Sequence, residues 1–195
     1  WERYCTDELD GKTIAIVGAG RIGRRIARVA SAFGMRTLAM TRTATPERER
    51  DLGVDRLYPP ERLHEMLGEA DAVVLSVPHT PETEDMMDAA AFGAMKDSVI
   101  FINIARGQVV DEGALLDALR SEKIGFAALD VFRQEPHPPN SPFWTLPNVM
   151  ISPHSASTAY GENRRITDIF CHNLLCYIDG RLHEMWNVLD KSRMY

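Results

Sequence analysis

Cysteine is scarce in this chain: three residues, Cys5, Cys171 and Cys176, in a length of 195. That is too few for a disulfide framework, and the odd count fits a reducing cytoplasm better than secretion, so a cytoplasmic setting is expected. No apolar run approaches the ~18 residues of a membrane helix. There is no lysine/arginine run, and a formal net charge of -6 with a pI near 5.5 argues against a nucleic-acid surface. His64, His79, His137, His172 and His183 stand at no metal-ligand spacing with cysteines or carboxylates, so no metal is expected. Internal repeats and low-complexity segments are also missing, and no signal peptide is visible in the residues at hand. The chain opens on Trp1 rather than Met, and the expectation is that the native N-terminus lies further upstream. What is present is an ordinary globular balance, 45% hydrophobic and 26% charged. It suffices for one good core, or one domain with an appendage.

The apolar pattern alternates in period. KTIAIV at 12–17 is a short strand, turned by Gly18-Ala19-Gly20. Ile22, Ile26, Val29, Ala30 and Phe33 then recur at the helical period, predicting a helix over 21–33 that Gly34 ends. Strands are predicted over 35–40, 54–58, 71–77, 99–104, 125–131 and 149–152. Helices are predicted over 47–52, 61–67, from Thr83 to about Met95, over 111–121 and over 157–177. The stretch 133–147 is a Pro-rich loop, and the tail from Asp179 is irregular. Strands alternating with helices at this spacing mean right-handed βαβ units. The expected fold class is α/β, a Rossmann-type doubly wound parallel sheet with helices on both faces. In such sheets the ligand sits beyond the carboxyl ends of the strands. The unusual residues fall there: the glycines after the first strand, Thr41-Arg42, Pro78 to Thr80, Arg106, Asp130 and His154.

VGAGRIG carries Gly18-x-Gly20-x-x-Gly23 between a strand and a helix, in the first βα unit, the context that gives this motif meaning. Gly18 permits the tight turn, Gly20 lets the backbone approach a pyrophosphate, and Gly23 lets the helix come close to the sheet. The helix N-terminus then offers its N–H groups and positive end to the phosphates. About 20 residues further on, an NAD enzyme usually places Asp or Glu to bind the ribose 2′-hydroxyl. This chain reads Met40-Thr41-Arg42-Thr43, with no carboxylate until Glu47. A guanidinium flanked by hydroxyls suits a 2′-phosphate, to which it can donate two parallel charge-assisted hydrogen bonds. NADP is therefore expected ahead of NAD; the other reading of Arg42 is a solvated surface arginine.

VIFINIARGQVVDE at 99–112 ends a strand of buried composition on Arg106, and arginine is almost never set at such a place without a partner. Arg106, Glu135 and His154 are far apart in sequence, yet each falls just after a predicted strand of one parallel sheet, so the three can converge on one cleft. Beside a nicotinamide they make a sensible reductase site. Arginine grips a substrate carboxylate and polarises the neighbouring carbonyl. Histidine gives a proton to the oxygen as hydride reaches the carbon, and a carboxylate orients the imidazole and favours its charged form. Spacing alone makes this a candidate triad: a Ser-Pro-His in a loop is more often structural, and Glu135-Pro136 reads equally as a simple turn.

The stretches NIARGQVVDEGALLDAL, ALDVFRQEP and SPFWTLPNVMISPHSA resemble the D-isomer-specific 2-hydroxyacid dehydrogenase family, and GKTIAIVGAGRIG and VPHTPET match that family's cofactor half. The resemblance runs from about Leu9 to about Asp190. It implies that Arg106 binds the carboxylate and carbonyl of a 2-keto acid. It implies that Glu135 pairs with His154, and that His154 is the acid for ketone reduction and the base for alcohol oxidation. It implies that Asp130 anchors the nicotinamide carboxamide. Further cofactor contacts implied are Gly18, Gly20, Arg21, Ile22 and Gly23, then Thr41, Arg42 and Thr43. Pro78, His79, Thr83, Ile104, Ala105, Ser155 and Ala156 complete the set.

Two departures follow from the same resemblance. The ribose position lacks the acid of the NAD-using members and is similar to the NADP-using glyoxylate and hydroxypyruvate reductases. The family also has two domains, and this chain supplies essentially one. The implied organisation is a hinge segment over 1–10, a cofactor domain over 11–178, and a tail over 179–195 returning to a substrate domain of ~100–150 residues expected before Trp1. The expected activity is hydride transfer between NAD(P)H and a small 2-keto acid or D-2-hydroxy acid. This chain alone is expected to bind NADPH and turn over poorly. A homodimer pairing through this domain is expected, with Phe143-Trp144 assigned to packing or interface ahead of the substrate mouth. Met185, Trp186 and Met194 are expected to dock on the other domain, and Cys171 and Cys176 to act as small hydrophobes on a helix. The alternative function is a nucleotide-sensing corepressor of the same fold. A formate-type dehydrogenase is disfavoured, because that branch has glutamine where this chain has Glu135.

Overall fold

The computed structural model describes Trp1 and residues 7–191. Cys5, Met194 and half of the expected hinge segment lie outside the described residues. The chain forms two compact units, Trp1–His154 and Ser155–Tyr195.

The first unit holds a seven-stranded sheet in the order β3-β2-β1-β4-β5-β6-β7. Its strands are β1 (Thr13–Val17), β2 (Arg36–Met40), β3 (Arg56–Tyr58), β4 (Ala72–Leu75), β5 (Val99–Asn103), β6 (Ile124–Leu129) and β7 (Val149–Ile151). Every neighbouring pair is parallel. The helices are α1 (Arg21–Ala32), α2 (Pro46–Leu52), α3 (Leu63–Glu69), α4 (Ala89–Ala94) and α5 (Glu112–Arg120). This is the doubly wound α/β fold that the alternating pattern predicts. β1 is TIAIV, buried along its whole length, as a central strand covered on both faces must be.

Alternation along the strands divides the core between two faces. Ala15, Val17, Val73, Leu75 and Phe101 join Leu63, Met66 and Leu67 of α3, Phe92 of α4 and Leu115 and Leu119 of α5. Ile14, Ile16 and Val74 point the other way, to Ala27 and Ala30 of α1. At one end of the sheet Tyr58 is fully buried and its hydroxyl donates to Glu69; burial, then that carboxylate, push the phenol up to about 12.

The register fixes the site. Val17 pairs with Met40 on one side and Leu75 on the other; Leu75 is level with Asn103, Asn103 with Leu129, and Leu129 with Ile151. These six carboxyl-terminal residues therefore form one row across the sheet. The strand order reverses at β1 and β4, which opens the crevice where such folds take ligands.

Two helices differ from the sequence expectation. The helix expected from Thr83 to about Met95 is confined to Ala89–Ala94. Asp85 adopts φ 50, and Met87 is drawn into a parallel bridge with Val110, so the chain cannot coil before Asp88. The Asp88 side chain then starts α4 by accepting from the amide of Ala91 at 2.8 Å. In the second unit, the helix expected over 157–177 is α6 (Glu162–Ile178), because a turn from Ser155 to Thr158 and the N-cap Gly161 delay its start.

Within that second unit the end of α6 clasps the tail. Asn173 exchanges two hydrogen bonds with the Trp186 backbone at 2.7 and 2.8 Å, and His172 stacks on the Trp186 ring with centroids 3.8 Å apart. Cys171 is exposed and Cys176 buried; neither is in a disulfide. No helix among the described residues is long and apolar enough to cross a membrane.

Phe101 and Phe92 meet edge to face, centroids 5.3 Å apart, with Phe101 fully buried. Phe101→Ala is expected to cost about 3–5 kcal/mol of stability, read as a lower urea midpoint at unchanged slope.

Candidate active site

Each expected site residue of the first unit lies just past the row of strand ends. Gly18 follows Val17, Thr41 follows Met40, Pro78 lies beyond Leu75, Arg106 beyond Asn103, Asp130 follows Leu129, and His154 lies beyond Ile151. The sheet thus gathers them along one rim.

The loop after β1 separates folding demands from ligand demands. Gly18 has φ 98, and a Cβ there would lie 2.7 Å from Val77 Cγ1, so only glycine fits. A Cβ at Gly23 would collide with the carbonyl oxygen of Gly18. Gly20 differs from both. Its backbone is extended, at φ -76 and ψ -154, which any residue adopts, and no protein atom lies within 4 Å of the Cβ it lacks. The protein does not require glycine there. Close approach of a ligand to the first turn of α1, which has no side-chain cap, would require it. The residues present therefore fit a nicotinamide dinucleotide: the Gly18–Gly23 loop would hold its pyrophosphate and the rim beyond β4 to β7 its reactive end. Arg21 and Ile22 open α1 with exposed side chains.

After β2, Thr41 is buried and its hydroxyl donates to the Thr43 carbonyl at 2.9 Å, shaping the turn that carries the exposed Arg42. Across from it, the Glu82 carboxyl is held below its usual range, first by the Thr80 hydroxyl and in part by the Arg42 charge. Thr83 closes its own loop. Its hydroxyl accepts from the Thr80 amide at 2.8 Å and donates to the Pro78 carbonyl at 2.8 Å. His79 lies 3.7 Å from the Glu84 carboxylate.

The three candidate catalytic residues lie beyond β5, β6 and β7. His154 Nδ1 is 2.7 Å from Glu135 Oε2, and the other carboxylate oxygen accepts from the Phe132 amide at 2.9 Å. Burial raises the Glu135 carboxyl. The hydrogen bonds from His154 and Phe132, and the charges of His154 and Arg106, outweigh it and hold the group below its usual value. Arg106 is thus near enough to be felt at Glu135. Its Nη1 donates to the Ala105 carbonyl at 2.6 Å, and its side chain is exposed at the rim. Ala105 is buried and Ile104 half-buried behind it.

His154 sits at φ 50, a conformation that costs a residue with a side chain about 1–2 kcal/mol. Its amide is held there by the Asp130 carbonyl at 2.8 Å and the Ser152 carbonyl at 3.1 Å. Asp130 is buried, its amide donates to the Asn103 carbonyl at 3.0 Å, and its carboxylate accepts from the Ser152 hydroxyl. Ser155 and Ala156 begin the second unit. No cluster of metal-ligating side chains occurs among the described residues.

Three residues not assigned from the sequence shape this site. Asn103 is buried; its Oδ1 accepts from the Ala105 amide at 3.0 Å and its Nδ2 donates to the Arg106 carbonyl at 3.2 Å, fixing the turn on which Arg106 stands. A Cβ at Gly107 would overlap the Phe132 backbone, so the loops carrying Arg106 and Glu135 cross in contact only because residue 107 has none. Ser152 links Asp130 to the turn before His154. An asparagine ending a buried strand and a glycine directly after the arginine were the available signals.

Residues 1–156 match the family model described as D-isomer specific 2-hydroxyacid dehydrogenase, NAD binding domain. This chain belongs to that family. Among curated relatives of the D-isomer specific 2-hydroxyacid dehydrogenases, a glyoxylate reductase of Thermococcus onnurineus is 45% identical over 175 residues, covering 90% of this chain and 51% of that protein. One from Thermococcus kodakarensis is 42% identical over the same coverage. The chain therefore spans about half the length of the curated relatives it matches. A D-isomer specific 2-hydroxyacid dehydrogenase from Xanthobacter autotrophicus Py2, solved with NADPH and MES, superposes with a TM-score of 0.88 at 33% identity, covering 100% of this chain and 77% of that one. An NADPH-dependent glyoxylate/hydroxypyruvate reductase from Sinorhizobium meliloti, solved with NADP and sulfate, also gives 0.88, at 30% identity and 100% and 60% coverage. None of these relatives supports the corepressor reading.

The depressed Glu135 carboxyl makes a pH prediction. A carboxyl whose folded value lies below its unfolded one contributes stability that is fully present above the unfolded value, near 4.5, and is lost as pH falls through the folded value. The gap in unfolding midpoint between wild type and Glu135→Gln is expected to close on acidification below that value. A gap that widens instead would contradict the pairing.

Proposed function

We propose that this chain is the cofactor-binding half of a reductase that converts a small 2-keto acid, of the glyoxylate or hydroxypyruvate class, to the D-2-hydroxy acid, with NADPH preferred over NADH. The observation that carries the reading is the Glu135–His154 hydrogen bond beside Arg106, on the rim that also bears the Gly18–Gly23 loop.

With Nδ1 turned to Glu135, Nε2 of His154 is the atom that gives and takes a proton. The carboxylate stabilises the charged imidazole before transfer and sets its orientation. Arg106 holds the substrate carboxylate through charge-assisted hydrogen bonds and draws electron density from the C2 carbonyl. The reduced nicotinamide, when bound, supplies the hydride. The proton on Nε2 passes to the carbonyl oxygen as C2 is reduced, leaving a hydroxy acid and a neutral histidine; in the reverse direction Nε2 removes the hydroxyl proton. Asp130 would hold the carboxamide, Ile104 and Ala105 would line the ring's surroundings, and Pro78, His79 and Thr83 would border the dinucleotide.

Thr41, Arg42 and Thr43 are assigned to the 2′-phosphate. Two structural neighbours solved with NADPH or NADP support this choice, as does the missing ribose carboxylate. A cytoplasmic homodimer remains the expected setting, supported by cysteine usage and by the family pattern.

Two measurements test the reading. Fluorescence titration of the chain is expected to show NADPH binding tighter than NADH by on the order of tenfold or more, a margin that Arg42→Ala removes. Tighter NADH binding would overturn the Arg42 assignment and leave the rest standing. In the full-length protein, Arg106→Ala is expected to lower NADPH-dependent reduction of glyoxylate by on the order of 10²–10³-fold; near-normal turnover would remove Arg106 from the mechanism.

A further inference from the structure

Arg133 stands between the loop that carries Glu135 and two loops that precede it in the sequence. Its Nε donates to the Val110 carbonyl at 3.1 Å, and its Nη2 donates to the Asp85 carboxylate and, at 3.4 Å, to the Gln108 carbonyl. Its amide donates to Glu112 Oε1 at 2.7 Å, and its carbonyl accepts from Gln108 Nε2 at 3.4 Å. One residue therefore joins the loops after β4, β5 and β6. Asp85 is presented to it by a left-handed backbone at φ 50, with its amide bonded to the Gln108 carbonyl at 2.9 Å. The loops so joined carry Thr83, Arg106 and Glu135. The crossing they make is the one that Gly107 permits against Phe132 and Arg133.

We propose that Arg133 is a positioning residue: its fork, clamped on Asp85 and Val110, holds the Glu135 carboxylate and the Arg106 guanidinium in register at the reacting end of the cofactor cleft. The proposal rests on the assignment of Arg106, Glu135 and His154 as the chemical residues. Arg133 itself touches no reacting atom. Glu135 follows it by two residues, and the Phe132 amide that fixes Glu135 precedes it by one, so the clamp acts directly on the short segment that aims the carboxylate.

The clamp is half exposed, with side-chain exposures of 37% for Arg133 and 48% for Asp85. An ion pair that wet adds little to global stability, whereas a displacement of catalytic groups by ~1 Å costs rate steeply. The two effects are therefore separable. Lysine cannot substitute, because one ammonium cannot reach the Val110 carbonyl and Asp85 in the fork geometry that arginine has.

The test is steady-state kinetics on the full-length protein, with NADPH and glyoxylate, for wild type, Arg133→Ala, Arg133→Lys, Asp85→Asn and, as a reference, Arg106→Ala. The expected result for Arg133→Ala and Arg133→Lys is a fall in kcat of on the order of tenfold or more, with KM for NADPH within about twofold and an almost unchanged thermal midpoint. Asp85→Asn, which keeps an acceptor oxygen, is expected to lose less. Wild-type kcat in both Arg133 variants, with Arg106→Ala inactive, overturns the clamp and leaves the site assignment standing. Near-normal turnover in Arg106→Ala overturns the site assignment, and the clamp with it. Should Arg133→Ala lose its fold, Arg133→Lys decides by the same criteria.

Discussion

Everything at the candidate site depends on the register of the parallel sheet. Met40, Val17, Leu75, Asn103, Leu129 and Ile151 stand level across six strands. Residues separated by more than a hundred positions can therefore meet within the few that follow each strand. A slip of one residue between β5 and β6 would turn Asn103 and Leu129 to opposite faces and separate Arg106 from Glu135. The buried runs of β1 and β4 and the buried alternate residues Val99, Phe101 and Asn103 of β5 oppose that slip, since alternate residues belong to different helical layers. The chemistry at the rim is thus secured by apolar packing well below it.

Above the row, polar groups take over from packing. Asn103 ties its own side chain to the turn bearing Arg106, Asp130 links β5 to the turn bearing His154, and Thr83 closes the loop after β4 on itself. These bonds join backbone to side chain over short spans, the usual way for a loop to be rigid without a core of its own. Arg133 adds the longer ties between loops. The carboxylate of Glu135 is where the two levels join. One oxygen is held by the backbone of Phe132, a residue packed in the core, and the other is turned to the imidazole.

Much of this was legible in the chain itself. Strand positions, the glycine loop and the placement of Arg106, Glu135 and His154 after strands followed from periodicity and turn residues, because the core repeats its period over several turns of each element. Legibility failed where the outcome depended on distant partners. The helix expected from Thr83 is short because Met87 pairs with Val110, a contact no local window contains. Gly107 reads as an ordinary turn glycine until the backbone of Phe132 is seen pressed against it. Arg133 in a Pro-rich loop reads as a solvated charge until Asp85, forty-eight positions earlier, is found at its end. The family resemblance supplied roles for Asp130 and Thr83, but not Thr83's use of its hydroxyl within its own loop.

The glycine loop also holds two kinds of constraint side by side. Gly18 and Gly23 are dictated by neighbours within the polypeptide. Gly20 has an ordinary backbone and empty space around it, so nothing in the polypeptide dictates its identity, whereas an occupant from outside would. Substitution at the first two positions injures the scaffold, while a methyl group at the third would leave a sound scaffold with an obstructed cradle. Within six residues, the architecture and its visitor can be told apart by which side chain each forbids.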